Sequence, residues 1–131
     1  MPPRVRAGGT TSTTRSPKSD RRWNFVLGDS HAAQVVDTVR GLLQGRQVDF
    51  LFIDGDHSYE GVKADWDLYR KLVAPDGLVA FHDIVPGPEE RVGGVPRFWK
   101  ELRQQFPHRE LVESWHQGGY GIGVVLPNDR S

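Results

Sequence analysis

The stretch that decides the fold reads Val48-Asp49-Phe50-Leu51-Phe52-Ile53-Asp54-Gly55-Asp56-His57. Its first six residues are apolar at nearly every position, which is typical of a parallel strand covered on both faces. Two carboxylates and an imidazole follow at once. A second apolar run, Leu78-Val79-Ala80-Phe81, ends in the same way at His82 and Asp83. Because parallel strands of an open α/β sheet present their carboxyl ends to one crevice, the sequence predicts a ligand site there.

Strand and helix patterns alternate along the chain from Trp23 onward. The predicted elements are strand 23–27, helix 32–43, strand 48–53, helix 59–73, strand 78–81, helix 95–106, and strands 110–115 and 120–126. The short connection around Gln117-Gly118-Gly119 permits only an antiparallel hairpin between the last two strands. Ser58, and either Asp29 or Ser30, are the predicted N-caps of the helices that follow them. This order predicts an α/β fold with a mostly parallel sheet and a C-terminal antiparallel hairpin.

The segment from Met1 to Arg22 differs in composition from the rest of the chain. It is rich in Pro, Gly, Ser, Thr and Arg, and Val5 is its only sizeable apolar residue. Burial of so little apolar surface does not offset the entropy lost on ordering. We therefore predict a disordered basic tail over residues 1–22 and one partial domain over residues 23–131. A solvated tail is favoured over an arm that binds nucleic acid.

Composition excludes several classes of partner. The chain has 17 basic and 17 acidic residues, a formal net charge of +0, which gives no reason to expect nucleic acid or an anionic membrane. Without cysteine, any metal must be held by oxygen and imidazole. No apolar run approaches the length of a bilayer crossing, and no signal-peptide pattern is readable. We expect a cytoplasmic protein that acts on a small molecule.

The carboxylates at the strand ends predict a cation site. Asp54 and Asp56 point the same way if the extended geometry of the strand persists. Asp83 follows the neighbouring strand, so three carboxylates would converge and repel one another unless a divalent cation relieved the repulsion. Oxygen ligands suit Mg²⁺, and an imidazole from His57 or His82 would extend the choice to Mn²⁺, Fe²⁺ or Zn²⁺. The alternative is that these residues cap a helix and satisfy turn amides.

The histidines at the strand ends and the segment Gly28-Asp29-Ser30 have more than one interpretation. Each imidazole is a ligand, a base near neutral pH, or a hydrogen-bonded support below the site. Of the two, we assign His82 to the metal ligands and His57 to the catalytic residues. The segment Gly28-Asp29-Ser30 either contacts a nucleotide base or only begins a helix.

Residues from Phe25 to about Leu102 resemble the second half of class I S-adenosylmethionine-dependent methyltransferases. The similar group contains cephalosporin hydroxylase-like and macrocin O-methyltransferase-like proteins. The matching segments are Gly28-Asp29-Ser30, the run from Val48 to Asp65 with Asp54-Gly55-Asp56-His57-Ser58-Tyr59-Glu60-Gly61, then Pro75-Asp76-Gly77-Leu78-Val79-Ala80-Phe81-His82-Asp83, and Gly93-Gly94-Val95-Pro96-Arg97-Phe98-Trp99. A match of this length and order is far more specific than a lone Asp-x-Asp.

The resemblance implies O-methylation of a small hydroxylated metabolite, often a sugar. It implies S-adenosylmethionine as methyl donor and a divalent metal (Mg²⁺, or Mn²⁺ or Fe²⁺) that orients the substrate oxygens. Asp54 and Asp83 correspond to metal ligands, and His82 stands where relatives often have an acidic ligand. Asp56 corresponds to the base that takes the hydroxyl proton, and Asp29-Ser30 to the segment that contacts the adenine.

The chain departs from this family ahead of Phe25. The family has the strand order 3-2-1-4-5-7-6, with a Gly-rich cofactor loop after strand one. In this chain only the low-complexity tail precedes Phe25, so neither that strand nor that loop is readable. We therefore expect an N-terminally truncated Rossmann-like sheet whose strand 48–53 has an unpaired edge. Three explanations stay open: residues 25–27 pair with that edge, a second copy of the chain covers it in a homo-oligomer, or the sequence is a fragment. Two other functions stay open: a glycosyltransferase-like enzyme that binds a metal–nucleotide-sugar through Asp54-Gly55-Asp56, and a non-catalytic binding or assembly module.

Overall fold

The computed structural model describes residues 21–127 in full and the backbone of Arg4–Val5 and Gly9–Arg15. The chain divides into two compact units, Met1–Arg46 and Gln47–Ser131. The first contains strands β1 (Arg4–Val5), β2 (Gly9–Arg15) and β3 (Arg22–Val26) and helix α1 (Ala33–Leu43). The second contains β4 (Val48–Ile53), α2 (Tyr59–Tyr69), a 3₁₀ helix (Arg70–Leu72), β5 (Val73–His82), α3 (Glu89–Val92), α4 (Val95–Leu102), β6 (His108–Leu111) and β7 (Ile122–Val125). None of the described helices combines the length and apolar content that a bilayer crossing requires.

The strands of the first unit form an antiparallel sheet in the order β1-β2-β3. Two of them fall where the sequence predicts a disordered tail, and the rest of that tail, residues 1–3, 6–8 and 16–20, lies outside the described residues. The β-branched threonines of β2 favour extended backbone even where apolar residues are scarce. The boundary of the two units falls between Arg46 and Gln47, and a disordered tail that ends at residue 22 stays a prediction.

Helix α1 begins later than its sequence signals suggest. Its N-cap is Ala32, which has no side-chain capping bond, so the prediction of Asp29 or Ser30 as the cap is wrong. Asp29 instead closes the preceding turn. Its carboxylate accepts the His31 backbone N–H at 2.9 Å, and its carbonyl accepts that of Ala32 at 2.9 Å. Asp29 therefore shapes the loop before the helix, and the N-cap residue Ala32 offers no side-chain acceptor to the first turn of α1.

The sheet of the second unit has the order β4-β5-β7-β6. Strands β4 and β5 are parallel, whereas β5 with β7 and β6 with β7 are antiparallel. The predicted α/β class and the C-terminal antiparallel hairpin are confirmed, and the order reproduces the 4-5-7-6 half that the resemblance implies. The pairings are more evenly mixed than the predicted mostly parallel sheet. The reason is that β3, which was expected in this sheet, pairs antiparallel with β2.

An aromatic cluster attaches α2 and α4 to the sheet. Phe81 of β5 lies at its centre, with ring centroids 5.9 Å from those of Trp66, Phe98 and Trp99. All four side chains are buried. Burial of a side chain of this size contributes roughly 1.5–3 kcal/mol. The cluster therefore packs both helices against β5 near its carboxyl end.

Strand β4 is less covered than its apolar sequence predicts. Phe50 and Phe52 are 53% and 45% exposed, although the pattern predicts burial on both faces. Alternation places both rings on one face and Ile53, which is buried, on the other. Helices α2 and α4 pack against the face of the sheet that carries Ile53. Strand β4 is an edge strand of the described sheet.

Candidate metal and acid–base site at the strand ends

Four polar side chains meet at the carboxyl ends of β4 and β5. Asp54 follows β4, His82 ends β5 and Asp83 comes next, while His57 reaches the same place from the loop after β4. The His57 Nε2 atom lies 3.0 Å from Asp83 Oδ2 and 3.7 Å from Asp54 Oδ1. The His82 Nδ1 atom lies 3.3 Å from Asp83 Oδ2 and 3.4 Å from Asp54 Oδ1. Both imidazoles therefore approach both carboxylates.

The donor atoms at this place suit a divalent cation. Asp54, His57 and Asp83 each offer one ligand atom, and these three atoms lie within 4.8 Å of one another. Asp54 is exposed, His57 is half-buried and Asp83 is buried, so the group opens to solvent on one side. Two carboxylate oxygens and one imidazole nitrogen fit Mn²⁺, Fe²⁺ or Zn²⁺, and Mg²⁺ where water completes the shell.

Asp83 is held by the backbone of a distant loop. Its φ of 68° lies in the left-handed region, which Asp tolerates better than most residues. The Tyr120 backbone N–H donates to Asp83 Oδ1 at 2.9 Å, and the Asp83 N–H donates to the Gly121 carbonyl at 3.0 Å. These bonds orient the carboxylate so that Oδ2 faces the two imidazoles.

The position of His57 depends on a pair of glycines ahead of α4. The Gly94 N–H donates to the His57 carbonyl at 2.7 Å. A Cβ at Gly94 would lie 2.6 Å from the backbone nitrogen of Tyr59, and one at Gly93 would overlap the His57 carbonyl. No side chain fits at either position without moving the loop that carries His57.

Asp56 is engaged at the start of α2. Its Oδ1 accepts the Ser58 backbone N–H at 2.9 Å. The Ser58 hydroxyl in turn accepts the Gly61 N–H at 3.0 Å, which confirms Ser58 as the N-cap. The group that the structure brings together is therefore Asp54, His57 and Asp83, and not the three carboxylates that the sequence predicts. An Asp two residues ahead of a free N–H readily closes such a turn.

The predicted cofactor segment lies in the first unit, in the loop between β3 and α1. Gly28 has a φ of 153°, a value that residues with a side chain rarely adopt. The Asp29 side chain is 70% exposed, and its Oδ1 lies 3.6 Å from His31 Nδ1. The loop thus presents an accessible carboxylate, which is a suitable acceptor for an amine or a hydroxyl group.

Three residues near the strand ends are not predicted as site residues by the sequence, namely Tyr120, Arg91 and Asp65. The Tyr120 ring lies edge-on to His82 with centroids 6.4 Å apart, and the Arg91 guanidinium stands 5.4 Å from the centre of the Tyr120 ring. Asp65 of α2 is buried, and a Cβ at Gly55 would lie 3.6 Å from its Oδ2. The glycines around Tyr120 signal a turn, but nothing in the sequence shows that this turn returns to Asp83.

A family model described as a methyltransferase domain matches residues 4–84. An uncharacterised protein of Sinorhizobium fredii (strain NBRC 101917 / NGR234) is 37% identical over 60 residues, covering 46% of this chain and 6% of that protein. An uncharacterised protein of Acanthamoeba polyphaga mimivirus is 50% identical over 36 residues, covering 28% of this chain and 16% of that protein. The crystal structure of an O-methyltransferase from Bacillus cereus in complex with SAH matches with a TM-score of 0.47 and 21% identity, over 70% of this chain and 46% of that one. The chain spans a small part of the length of these curated relatives.

Proposed function

The chain belongs to a methyltransferase-domain family, and from that premise we propose that it supplies the metal- and acceptor-binding part of an S-adenosylmethionine-dependent O-methyltransferase. The acceptor is a small hydroxylated metabolite, such as a sugar. The observation that carries the proposal is the convergence of Asp54, His57 and Asp83 at the ends of two neighbouring parallel strands. This is the edge at which open α/β sheets bind their ligands.

In this proposal Asp54, His57 and Asp83 hold the cation, with Mg²⁺, Mn²⁺ or Fe²⁺ as candidates. When bound, the cation polarises the acceptor hydroxyl and S-adenosylmethionine supplies the methyl group. His82 is then the adjacent acid–base group, because its Nδ1 lies within 3.4 Å of Asp54 Oδ1. An imidazole nitrogen is a suitable general base for a hydroxyl within hydrogen-bond reach, so we assign to His82 the proton that leaves the hydroxyl. This proposal reverses the roles that the sequence predicts for the two histidines, namely His82 as a metal ligand and His57 as a catalytic residue.

Positioning is the main contribution of the surrounding backbone. The Tyr120 N–H fixes the Asp83 carboxylate and the Gly94 N–H fixes the His57 carbonyl, at 2.9 Å and 2.7 Å. Groups held in this way need no reorganisation when the acceptor arrives, and such alignment supplies a large part of the rate of a bimolecular reaction.

The loop with Gly28, Asp29 and Ser30 is the proposed contact for the adenine of the methyl donor. Support comes from the exposed Asp29 carboxylate, which can accept a hydrogen bond from the exocyclic amine or a ribose hydroxyl. Part of this acceptor capacity is used within the loop, because Oδ1 already accepts the His31 N–H at 2.9 Å.

The glycosyltransferase-like alternative receives less support from the geometry. It needs Asp54 and Asp56 to bind one metal–nucleotide-sugar together. Asp56 closes the turn before α2 with Ser58, whereas Asp54 faces two imidazoles. The Asp54 and Asp56 carboxylates therefore bond to different parts of the chain, which does not favour joint binding of one metal ion.

The test is binding of Mn²⁺ followed by electron paramagnetic resonance, for the full chain and for Asp54→Asn, Asp83→Asn and Asp49→Asn. Loss of a ligand should weaken Mn²⁺ binding by about tenfold or more. Asp49 is an exposed residue of β4 that takes no part in the group, so Asp49→Asn is the matched control. Calorimetric titration with S-adenosylhomocysteine then probes the cofactor loop, with Asp29→Ala as the variant.

Two outcomes would contradict the proposal. Equal Mn²⁺ affinity in Asp54→Asn and Asp49→Asn would show that the strand-end group holds no cation. Absence of binding by S-adenosylhomocysteine at millimolar concentration, with or without Mn²⁺, would remove the cofactor part while leaving the metal site to stand alone.

A further inference from the structure

A cleft separate from the strand-end histidines lies within the second unit. It has a volume of about 390 Å³ and is bounded by Pro96, Trp99 and Lys100 of α4 and by Trp115 in the segment between β6 and β7. A volume of this size is within the range of small-molecule sites. Only Ile84, the neighbour of Asp83, links its lining to the site described above.

One side of the cleft is neutralised internally. The Glu110 carboxylate accepts hydrogen bonds from Arg103 Nη1 at 2.9 Å and from the Trp99 indole Nε1 at 2.8 Å. The Arg103 guanidinium carbon also lies 5.8 Å from the centre of the Trp115 ring. The Glu110 carboxylate therefore neutralises the charge of Arg103, and these contacts fix the positions of the Trp99 and Trp115 rings.

The other side of the cleft carries an uncompensated positive charge. Lys100 lines the cleft and makes no ion pair or hydrogen bond within the part of the chain that the structure describes. Glu110 is the only acidic lining residue, and it is already matched with Arg103. The lining therefore has a net charge of one positive unit next to indole and proline rings.

These features select the chemistry of a ligand. The Trp115 ring is 43% exposed and Pro96 is half-buried, so a flat apolar body would cover apolar surface that is now in water. An anionic group at the edge of that body would pair with the ammonium group of Lys100. A neutral ligand would leave this charge beside an apolar body, and an aliphatic ligand would lose the stacking.

We propose that the cleft bounded by Pro96, Trp99, Lys100 and Trp115 binds a small aromatic carboxylate, with the carboxylate on Lys100 and the ring against Trp115. The inference does not depend on the proposed methyl transfer, because it uses neither the cation group nor the cofactor loop.

The test follows the indole N–H signals of the full chain by ¹H–¹⁵N NMR during titration with benzoate, with neutral benzamide as the matched ligand. Saturable shifts are expected at Trp99 and Trp115, with benzoate bound up to about fivefold more tightly than benzamide, the size expected of a solvent-exposed ion pair. Lys100→Gln should reduce benzoate binding to the level of benzamide. Lys71→Gln, at an exposed lysine of the 3₁₀ helix, should change nothing.

Three results would overturn the inference. These are shifts confined to Trp23 or Trp66, equal binding of benzoate and benzamide, and benzoate affinity unchanged in Lys100→Gln. Because Lys100 is exposed, its substitution leaves the core untouched, and a thermal unfolding curve identical to that of the unmodified chain confirms that each variant is folded.

Discussion

Asp83 and Tyr120 are 37 residues apart in the chain, yet the Tyr120 N–H donates to Asp83 Oδ1 at 2.9 Å. Both residues have a positive φ, 68° for Asp83 and 63° for Tyr120. The bond joins the end of β5 to the loop that leads into β7. The two oxygens of the Asp83 carboxylate therefore have different partners. Oδ1 accepts the backbone bond from Tyr120, and Oδ2 lies 3.0 Å from His57 Nε2.

Substitutions of Asp83 should distinguish the structural role of Oδ1 from the site role of Oδ2. Asp83→Ala removes the acceptor of the part-buried bond from the Tyr120 N–H and places Ala in the left-handed region. We expect a loss of about 0.5–1.5 kcal/mol in the free energy of unfolding from the bond alone. Asp83→Asn keeps an acceptor oxygen and tolerates the positive φ, so it should unfold at a higher urea concentration than Asp83→Ala. Equal urea midpoints for the two variants would contradict this division.

The N-cap of α2 offers a second stability test. Ser58 accepts the Gly61 N–H through its hydroxyl at 3.0 Å. Ser58→Ala removes this bond and should lower the free energy of unfolding by about 1 kcal/mol. Ser58→Asp keeps an acceptor at the same place and should recover most of the loss, as measured by urea unfolding. A loss of the same size in both variants would show that the cap itself contributes little.

The parts of the fold that depend on apolar periodicity could be predicted from the sequence. Burial drives the pairing of β4 with β5 and the attachment of α4 through Phe98 and Trp99, so the spacing of apolar residues was sufficient. The strand-end position of Asp54 and Asp83 followed from the same pattern. The candidate site is therefore predicted by the general location of ligands at the carboxyl ends of parallel strands and not by any single motif.

The parts that depend on competition between polar groups could not be predicted in this way. Asp56 could either join the other carboxylates or close a turn, and the choice depends on the exact position of the Ser58 N–H. Asp29 likewise bonds His31 instead of capping α1. The return of Tyr120 to Asp83 is a long-range contact that no local pattern encodes.

Close packing at Gly94 gives a third prediction. A Cβ there would lie 2.6 Å from the Tyr59 backbone nitrogen, so Gly94→Ala must displace either α2 or the loop with His57. We expect a loss of about 1–3 kcal/mol in the free energy of unfolding, measured by thermal unfolding, together with weaker Mn²⁺ binding.

Gly41 is the matched control for this substitution. It lies inside α1, and a Cβ there meets nothing within 4 Å among the described residues. Gly41→Ala should therefore raise stability by up to about 1 kcal/mol, the helix preference of Ala over Gly. A similar effect of both substitutions would mean that the contact with Tyr59 is not tight in solution.

Glu110 should make stability depend on pH in the acid range. Partial burial alone would raise the pKa of the Glu110 carboxyl, but the hydrogen bonds from Trp99 and Arg103 outweigh it and hold that pKa below its ordinary value of 4.5. A carboxyl with a lower pKa in the folded state binds fewer protons there than in the unfolded state. Its contribution to stability is therefore complete above the unfolded pKa and is lost as the pH falls through the folded pKa.

Glu110→Gln removes this titration while keeping one acceptor oxygen. We expect the variant to be less stable than the unmodified chain at pH 7 and the difference to shrink as the pH falls below 4.5. Urea midpoints across this range measure the effect, with Glu113→Gln, at an exposed glutamate, as the control. A constant difference between Glu110→Gln and the unmodified chain at every pH would show that the Trp99 and Arg103 bonds do not favour the ionised carboxylate, because only a change in proton binding produces a pH-dependent gap.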